Sequence, residues 1–114
     1  MGANVVRTAP RVTPHSNAFV TSASSGANSV VAAKTGFKHR VLSVVAVTTL
    51  ANAVKFQSAS TDISATFPLG ANGGLVLPFN EHGWFETASG EALNVNLGTA
   101  TSTGVQVHYI SVPA

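Results

Sequence analysis

The segment ISATFPLGANGGLVLPFNEHGWFETASGEALNVNL, residues 63–97, decides the fold. Its clearest part is residues 91–97, where Leu93, Val95 and Leu97 alternate with Ala92, Asn94 and Asn96. Such a period of two marks a strand with one face in a core. Upstream, Ile63, Ala65, Phe67 and Leu69 point one way while Ser64, Thr66 and Pro68 point the other. A Gly-Ala-Asn-Gly-Gly turn at 70–74, with glycine supplying positive φ, leads into a strand at 75–79 with Leu75, Leu77 and Phe79 expected to face inward. Pro68 and Pro78 have no N–H to give to a ladder, so both strands are expected at edges. Turns at 80–83 and 88–90 bracket a short strand at 84–87.

Working outward, Val105, Val107 and Tyr109 alternate with Gln106 and His108, and Val54 and Phe56 alternate with Lys55 and Gln57. Residues 38–48 are too uniformly apolar to alternate, which suits a strand buried on both faces. A helix over residues 43–54 is the competing reading of that run, because it is long and contains alanine. Short strands spaced by Gly, Pro and Asn turns predict an all-β chain, an antiparallel β-sandwich of jelly-roll-like type. Residues 1–35, rich in Ser, Thr, Asn, Ala and Gly and carrying Pro10 and Pro14, are too poorly patterned to build a core. We expect them to form an extended N-terminal arm, with the sandwich domain spanning residues 36–114.

A chain of 114 residues has room for one core. Hydrophobic residues make up 45% but charged residues only 9%, against about 25% in an ordinary soluble domain. Disorder usually combines low hydrophobicity with high net charge, so that class is disfavoured. The longest apolar stretch, residues 41–53, is interrupted by Ser43, Thr48, Thr49 and Asn52 and is too short to span a bilayer. No basic segment followed by an apolar one opens the chain, so no secretory signal is expected. The absence of cysteine removes disulfides and thiolate chemistry. The six bases all precede residue 56 and the four acids all follow it, which gives halves of +6 and −4.

Chemistry-bearing patterns are sparse. No H-x-H occurs among His15, His39, His82 and His108, and Glu81, His82 and Glu86 beside a glycine turn read best as a solvated loop. There is no G-x-S-x-G elbow, and Glu81, Glu86 and Glu91 fit turn-proximal surface groups as readily as a carboxylate pair. The turn at 70–74 lacks the lysine and helix of a phosphate loop. Six bases without interleaved aromatics are too few for nucleic acid as the main partner. We expect no enzymatic activity, no cofactor, no bound metal and no membrane partner. Trp84 reads as a core residue, with an interface plug as the alternative.

Residues 65–80, continued by Gly83-Trp84-Phe85-Glu86-Thr87 and Gly90-Glu91-Ala92-Leu93-Asn94-Val95, form a recurring pattern. It resembles small β-sandwich proteins of tailed-bacteriophage virions. In these a Pro-Leu-x-x-x-Gly-Gly turn, a Leu-Pro strand, a Gly-Trp/Tyr-Phe-x-Thr strand and a Gly-x-Ala-Leu strand precede a final Gly-x-Val-x-x-x-Tyr strand, here Gly104, Val105 and Tyr109. The resemblance covers roughly residues 38–112 and rests on turns and core positions. It implies a capsid decoration, or cement, protein on the outer surface of the virion head, bound to the major capsid protein and self-associated as a homotrimer. The alternative it implies is a tail-fibre or spike module that binds cell-surface carbohydrate. On the first reading, Arg7, Arg11, Phe19, Lys34, Phe37, Lys38 and Arg40 are the expected capsid- or subunit-binding residues, the bases docking against acidic surface. Asn80, His82 and Trp84 form the expected interface or ligand patch.

Overall fold

The computed structural model describes residues 15–114; Arg7 and Arg11 lie outside the described residues. Ten strands run in the order β1 (Ser16–Ser22), β2 (Gly26–Val31), β3 (Phe37–Thr48), β4 (Asn52–Ser58), β5 (Thr61–Asp62), β6 (Phe67–Leu69), β7 (Gly74–Leu77), β8 (Phe85–Glu86), β9 (Leu93–Leu97) and β10 (Thr103–Pro113). They form two five-stranded antiparallel sheets packed as a β-sandwich. Sheet I has the order β2-β9-β4-β5, with β6 also pairing β4. Sheet II has the order β1-β10-β3-β7, with β8 also pairing β3. The described residues contain no helix, so the helical reading of residues 43–54 gives way to two strands joined by a turn at 49–51.

The alternation seen in the sequence builds the core. In sheet I, Val95 sits opposite Phe56 and Leu97 opposite Val54, and all four side chains are buried. Sheet II contributes Val41, Val44, Ala46, Val105 and Val107 to the same cluster. The Phe56 and Phe85 rings stack across the sheets with centroids 5.1 Å apart. Removing so central a ring leaves a cavity that its neighbours cannot close.

Residues 16–31 belong to the sandwich, where the sequence placed them in the arm. β1 pairs along β10 from Thr103↔Ser22 to Tyr109↔Ser16, and β2 pairs along β9 from Leu93↔Val31 to Leu97↔Gly26. The chain thus gives one outer strand to each sheet and crosses between them at residues 23–25. The weak patterning of this stretch has a physical cause: each strand leans on one neighbour, so half-buried Ala18, Val20 and Val30 suffice where a central strand needs larger groups.

Two further differences concern β3 and the 70–74 turn. Along β3, Val44, Ala46 and Thr48 point into the core, but Val45 and Val47 point outward and are 49% and 52% exposed. The expected burial on both faces is therefore realised on one. A register shift between His108 and Tyr109 lets Val41 and Leu42 both be buried in succession, as a β-bulge does. In the turn, the left-handed residue is Asn72, at φ 57°, rather than a glycine. Gly73 and Gly74 are needed instead for close approach, since a Cβ there would lie 2.7 Å from the Gly70 carbonyl oxygen and 2.9 Å from that of Ala46.

We expect Phe56→Ala to destabilise the domain by about 3–5 kcal/mol in urea unfolding. Deleting residues 1–35 strips the outer strand from both sheets; the truncated chain is expected to lose cooperative thermal unfolding, and a retained sharp transition would contradict the assigned pairing.

Candidate functional site

An antiparallel sheet with one face in a core ordinarily presents polar groups on the other. Sheet II departs from this. Its register sets Phe19, Gln106, Val45 and Val76 in one row across β1, β10, β3 and β7. The next row is Thr21, Gly104 and Val47, and the row on the other side is Asn17, His108 and Ser43. Phe19 is 75% and Val76 67% exposed, and Phe79 just beyond β7 is also exposed. Because Gly104 carries no side chain, a shallow hollow of about 240 Å³ opens between Phe19 and Val47. None of the residues in these rows is charged. Contiguous exposed apolar patches are characteristic of interaction surfaces.

The outer face of sheet I is the opposite. Asn96 Nδ2 donates to Gln57 Oε1 at 3.3 Å, Gln57 Nε2 donates to Asp62 Oδ1 at 2.8 Å, and Lys55 Nζ reaches Asp62 Oδ2 at 3.2 Å. Asn94 Nδ2 donates to the Ala59 carbonyl at 2.9 Å. The Asp62 carboxyl is held below its usual range, foremost by the Gln57 amide and then by Lys55. This face satisfies its own polar groups, so the two outsides of the sandwich differ in kind.

The sequence-predicted site residues are dispersed. Phe19 lies at one end of the apolar row, on the outer strand β1. Lys34 places its ammonium 4.2 Å from the centre of the Phe37 ring, a cation–π contact at the far end of the domain. Lys38 and Arg40 both bind Glu86, at 2.6 and 3.0 Å. The expectation that these bases face an external acidic surface is therefore corrected for Lys38 and Arg40: the opposite charges of the two halves meet inside the fold. Among the described residues, the four bases Lys34, Lys38, Arg40 and Lys55 balance the four acids, so the net +2 of the chain resides in Arg7 and Arg11.

Asn80, His82 and Trp84 share the loop that follows β7, which is anchored on β3 by bonds from the Asn80 N–H to the Leu42 carbonyl and from the Trp84 N–H to the Val41 carbonyl. Asn80 Oδ1 accepts from the His82 backbone N–H at 3.0 Å. Trp84 is 42% exposed rather than core, and its indole N–H donates to the Pro78 carbonyl at 2.7 Å. A short loop turning over a bulged strand leaves no room to fold the indole inward.

His39 is buried in a structural role. Its Nε2 lies 2.9 Å from the Ala32 carbonyl, which can only accept, so that nitrogen bears the proton and Nδ1 accepts from the Ser111 hydroxyl at 2.9 Å. Its ring meets Tyr109 edge to face at 5.4 Å. The ring thereby ties the crossover after β2 to both β3 and β10.

Sequence reasoning missed Val45, Val47 and Val76 as parts of an exposed apolar face and read Phe79 as inward, where it is exposed because the chain leaves the sheet before it. The misleading signal at Val45 and Val47 was the valine-rich run of β3, whose composition suits burial on two faces. No family model matches the chain, and no curated protein matches it significantly.

The Lys38–Glu86–Arg40 cluster has a pH signature. The Glu86 carboxyl lies below its usual value of 4.5, chiefly because Lys38 hydrogen-bonds to it, with Arg40 adding to the effect and partial burial opposing it. A carboxylate whose folded pKa is lowered adds stability that is fully present above the unfolded value and is lost as the pH falls through the folded one. The side chain is 35% exposed, so solvent screening keeps the contribution at or below about 1 kcal/mol. Glu86→Gln is expected to lower stability slightly at pH 7 and to flatten the loss below about pH 4.5 in a pH series of denaturant midpoints.

Proposed function

We propose that this chain is a structural virion protein that decorates and stabilises an assembled bacteriophage capsid, seated across the seams between subunits of the major capsid protein as a homotrimer. The observation that carries the reading is the uncharged apolar part of the outer face of sheet II, where Phe19, Val45, Val47 and Val76 are exposed in adjoining rows. The turn-and-strand pattern shared with small virion β-sandwiches adds the setting. A flat apolar face on a rigid sheet suits a repetitive protein surface, and covering it requires no desolvation of charge. The fold keeps most of its charges in its own ion pairs and offers the partner aliphatic and aromatic contact instead.

This changes the expected character of the attachment. Since Lys38 and Arg40 share the Glu86 carboxylate and docking uses the uncharged rows of sheet II, attachment is weakly salt-dependent; a strong salt dependence would have to come from Arg7, Arg11 or the residual positive charge of that cluster. The half-exposed Trp84 favours the alternative of a carbohydrate-binding tail-fibre or spike module, since an exposed indole can stack on a sugar ring. Against it, the Trp84 N–H and the Asn80 side-chain oxygen are already committed within the loop.

The test is co-sedimentation with empty heads, with circular dichroism as the check on folding. Burial of one such side chain is worth about 1.5–3 kcal/mol, so Phe19→Ala is expected to weaken attachment roughly 10- to 100-fold. Val76→Asp, placed on an edge strand, should abolish it without unfolding the domain. Wild-type binding that both variants leave intact, or no binding at any salt concentration, overturns the reading. Copy number in the virion separates the alternatives, hundreds for a decoration protein against a few or tens for a tail module.

A further inference from the structure

At one corner of the sheet II face two imidazoles converge. His108 projects outward from β10, flanked by Asn17 on β1 and Ser43 on β3. His15 immediately precedes β1, two residues before Asn17, so it is a diagonal neighbour of His108 across the β1–β10 ladder. The His108 Nε2 and His15 Nδ1 atoms are 2.9 Å apart. The ring centroids are 4.9 Å apart with the planes at 79°. Phe79 stacks on His15, centroids 6.3 Å apart and planes at 26°, and meets His108 edge-on at 6.0 Å. Three elements therefore hold the two nitrogens together, with Phe79 walling one side of the pair.

We propose that His15 and His108 form a two-histidine binding site for a divalent transition-metal ion, with water completing the coordination. With metal–nitrogen bonds of about 2.0–2.1 Å, two nitrogens 2.9 Å apart subtend about 90° at the ion. That is the angle between adjacent ligands in octahedral or square-planar coordination, the preference of Ni²⁺ and Cu²⁺. A tetrahedral Zn²⁺ needs the nitrogens about 3.3 Å apart, reached by a small rotation of either ring. The proton balance is simple. In the ion-free pair one imidazole donates its N–H to the lone pair of the other; on metal binding that proton sits on the remote nitrogen of the same ring, and both facing lone pairs go to the ion. No proton need leave the protein, and both rings stay neutral.

The ladder around the pair places no positive charge beside it. The residues directly opposite His108 are the uncharged Asn17 and Ser43, so no lysine or arginine opposes it in the ladder. The strand ladder fixes the His108 backbone, and the Phe79 stack limits the His15 ring, so little side-chain freedom is lost on binding. His82 makes the natural control: its side chain is 86% exposed, its Nε2 lies 3.8 Å from Glu81, and it takes no part in the pair.

The experiment is calorimetric titration of tag-free full-length protein with NiCl₂, repeated with CuCl₂. The wild type is expected to bind one ion per chain. His15→Ala and His108→Ala are each expected to weaken binding at least about tenfold, and His82→Ala to leave it unchanged. Because His15 lies before the first described strand, its variant keeps the test informative if His108→Ala perturbs folding. Absence of binding at millimolar Ni²⁺ and Cu²⁺, or affinity that His15→Ala and His108→Ala leave unaltered, overturns the site. Equal loss in all three histidine variants also overturns it, because non-specific imidazole binding then suffices. Capsid attachment is not a readout here, so failure of the proposed role leaves this result standing.

Discussion

The antiparallel ladder between β3 and β10, running from Thr48↔Thr103 to Phe37↔Pro113, holds the remainder of the molecule in place. β1, β7 and β8 are each defined by pairing with one of these two strands. The core side chains Val44, Ala46, Val105 and Val107 project from this ladder onto Val54, Phe56 and Val95 of the facing sheet. Its register shift at His108/Tyr109 buries Val41 and Leu42 together, and the backbone of those same two residues anchors the 78–84 loop. The alternation set by the ladder also turns Val45 and Val47 outward. Core, loop and exposed face are three consequences of one pairing.

The charge economy of the chain follows from the same arrangement. β8 pairs with the first half of β3, with Glu86 directly opposite Arg40, and Lys38 two residues away closes on the same carboxylate. On sheet I, the short β5 brings Asp62 beside Gln57 and within reach of Lys55. A domain with so few charges spends most of them on its own strand pairs. On the outer face of sheet II the charges are confined to the Lys38–Arg40–Glu86 end, and the rows that hold Phe19, Val45, Val47 and Val76 carry none.

The strands with a full alternating pattern were legible without coordinates. Leu93, Val95 and Leu97, or Val54 and Phe56, sit between two neighbours and over a core, so selection for burial writes a period of two into the sequence. Pro68 and Pro78 likewise marked edges, because a missing N–H is a local property. β1 and β2 were not legible as strands, since an outer strand that contacts one neighbour needs only small half-buried groups such as Ala18 and Val30. Phe19 was singled out as an anchor from its residue type alone, whereas the three valines that extend the apolar face became visible only when the register placed them in the same and the adjoining row.

The amino-acid sequence by itself determined the class of fold, the absence of thiol chemistry and the scarcity of charge, because composition, turn residues and alternation act over a few residues. Tertiary structure decided which side of β3 is covered, that Lys38 and Arg40 close on Glu86, and that His15 meets His108 across 93 residues of chain. These depend on register between strands distant in sequence, and register is settled by the packing of whole sheets. The valine run of β3 states that both of its faces suit burial; only the assembled sandwich shows that one of them is left exposed.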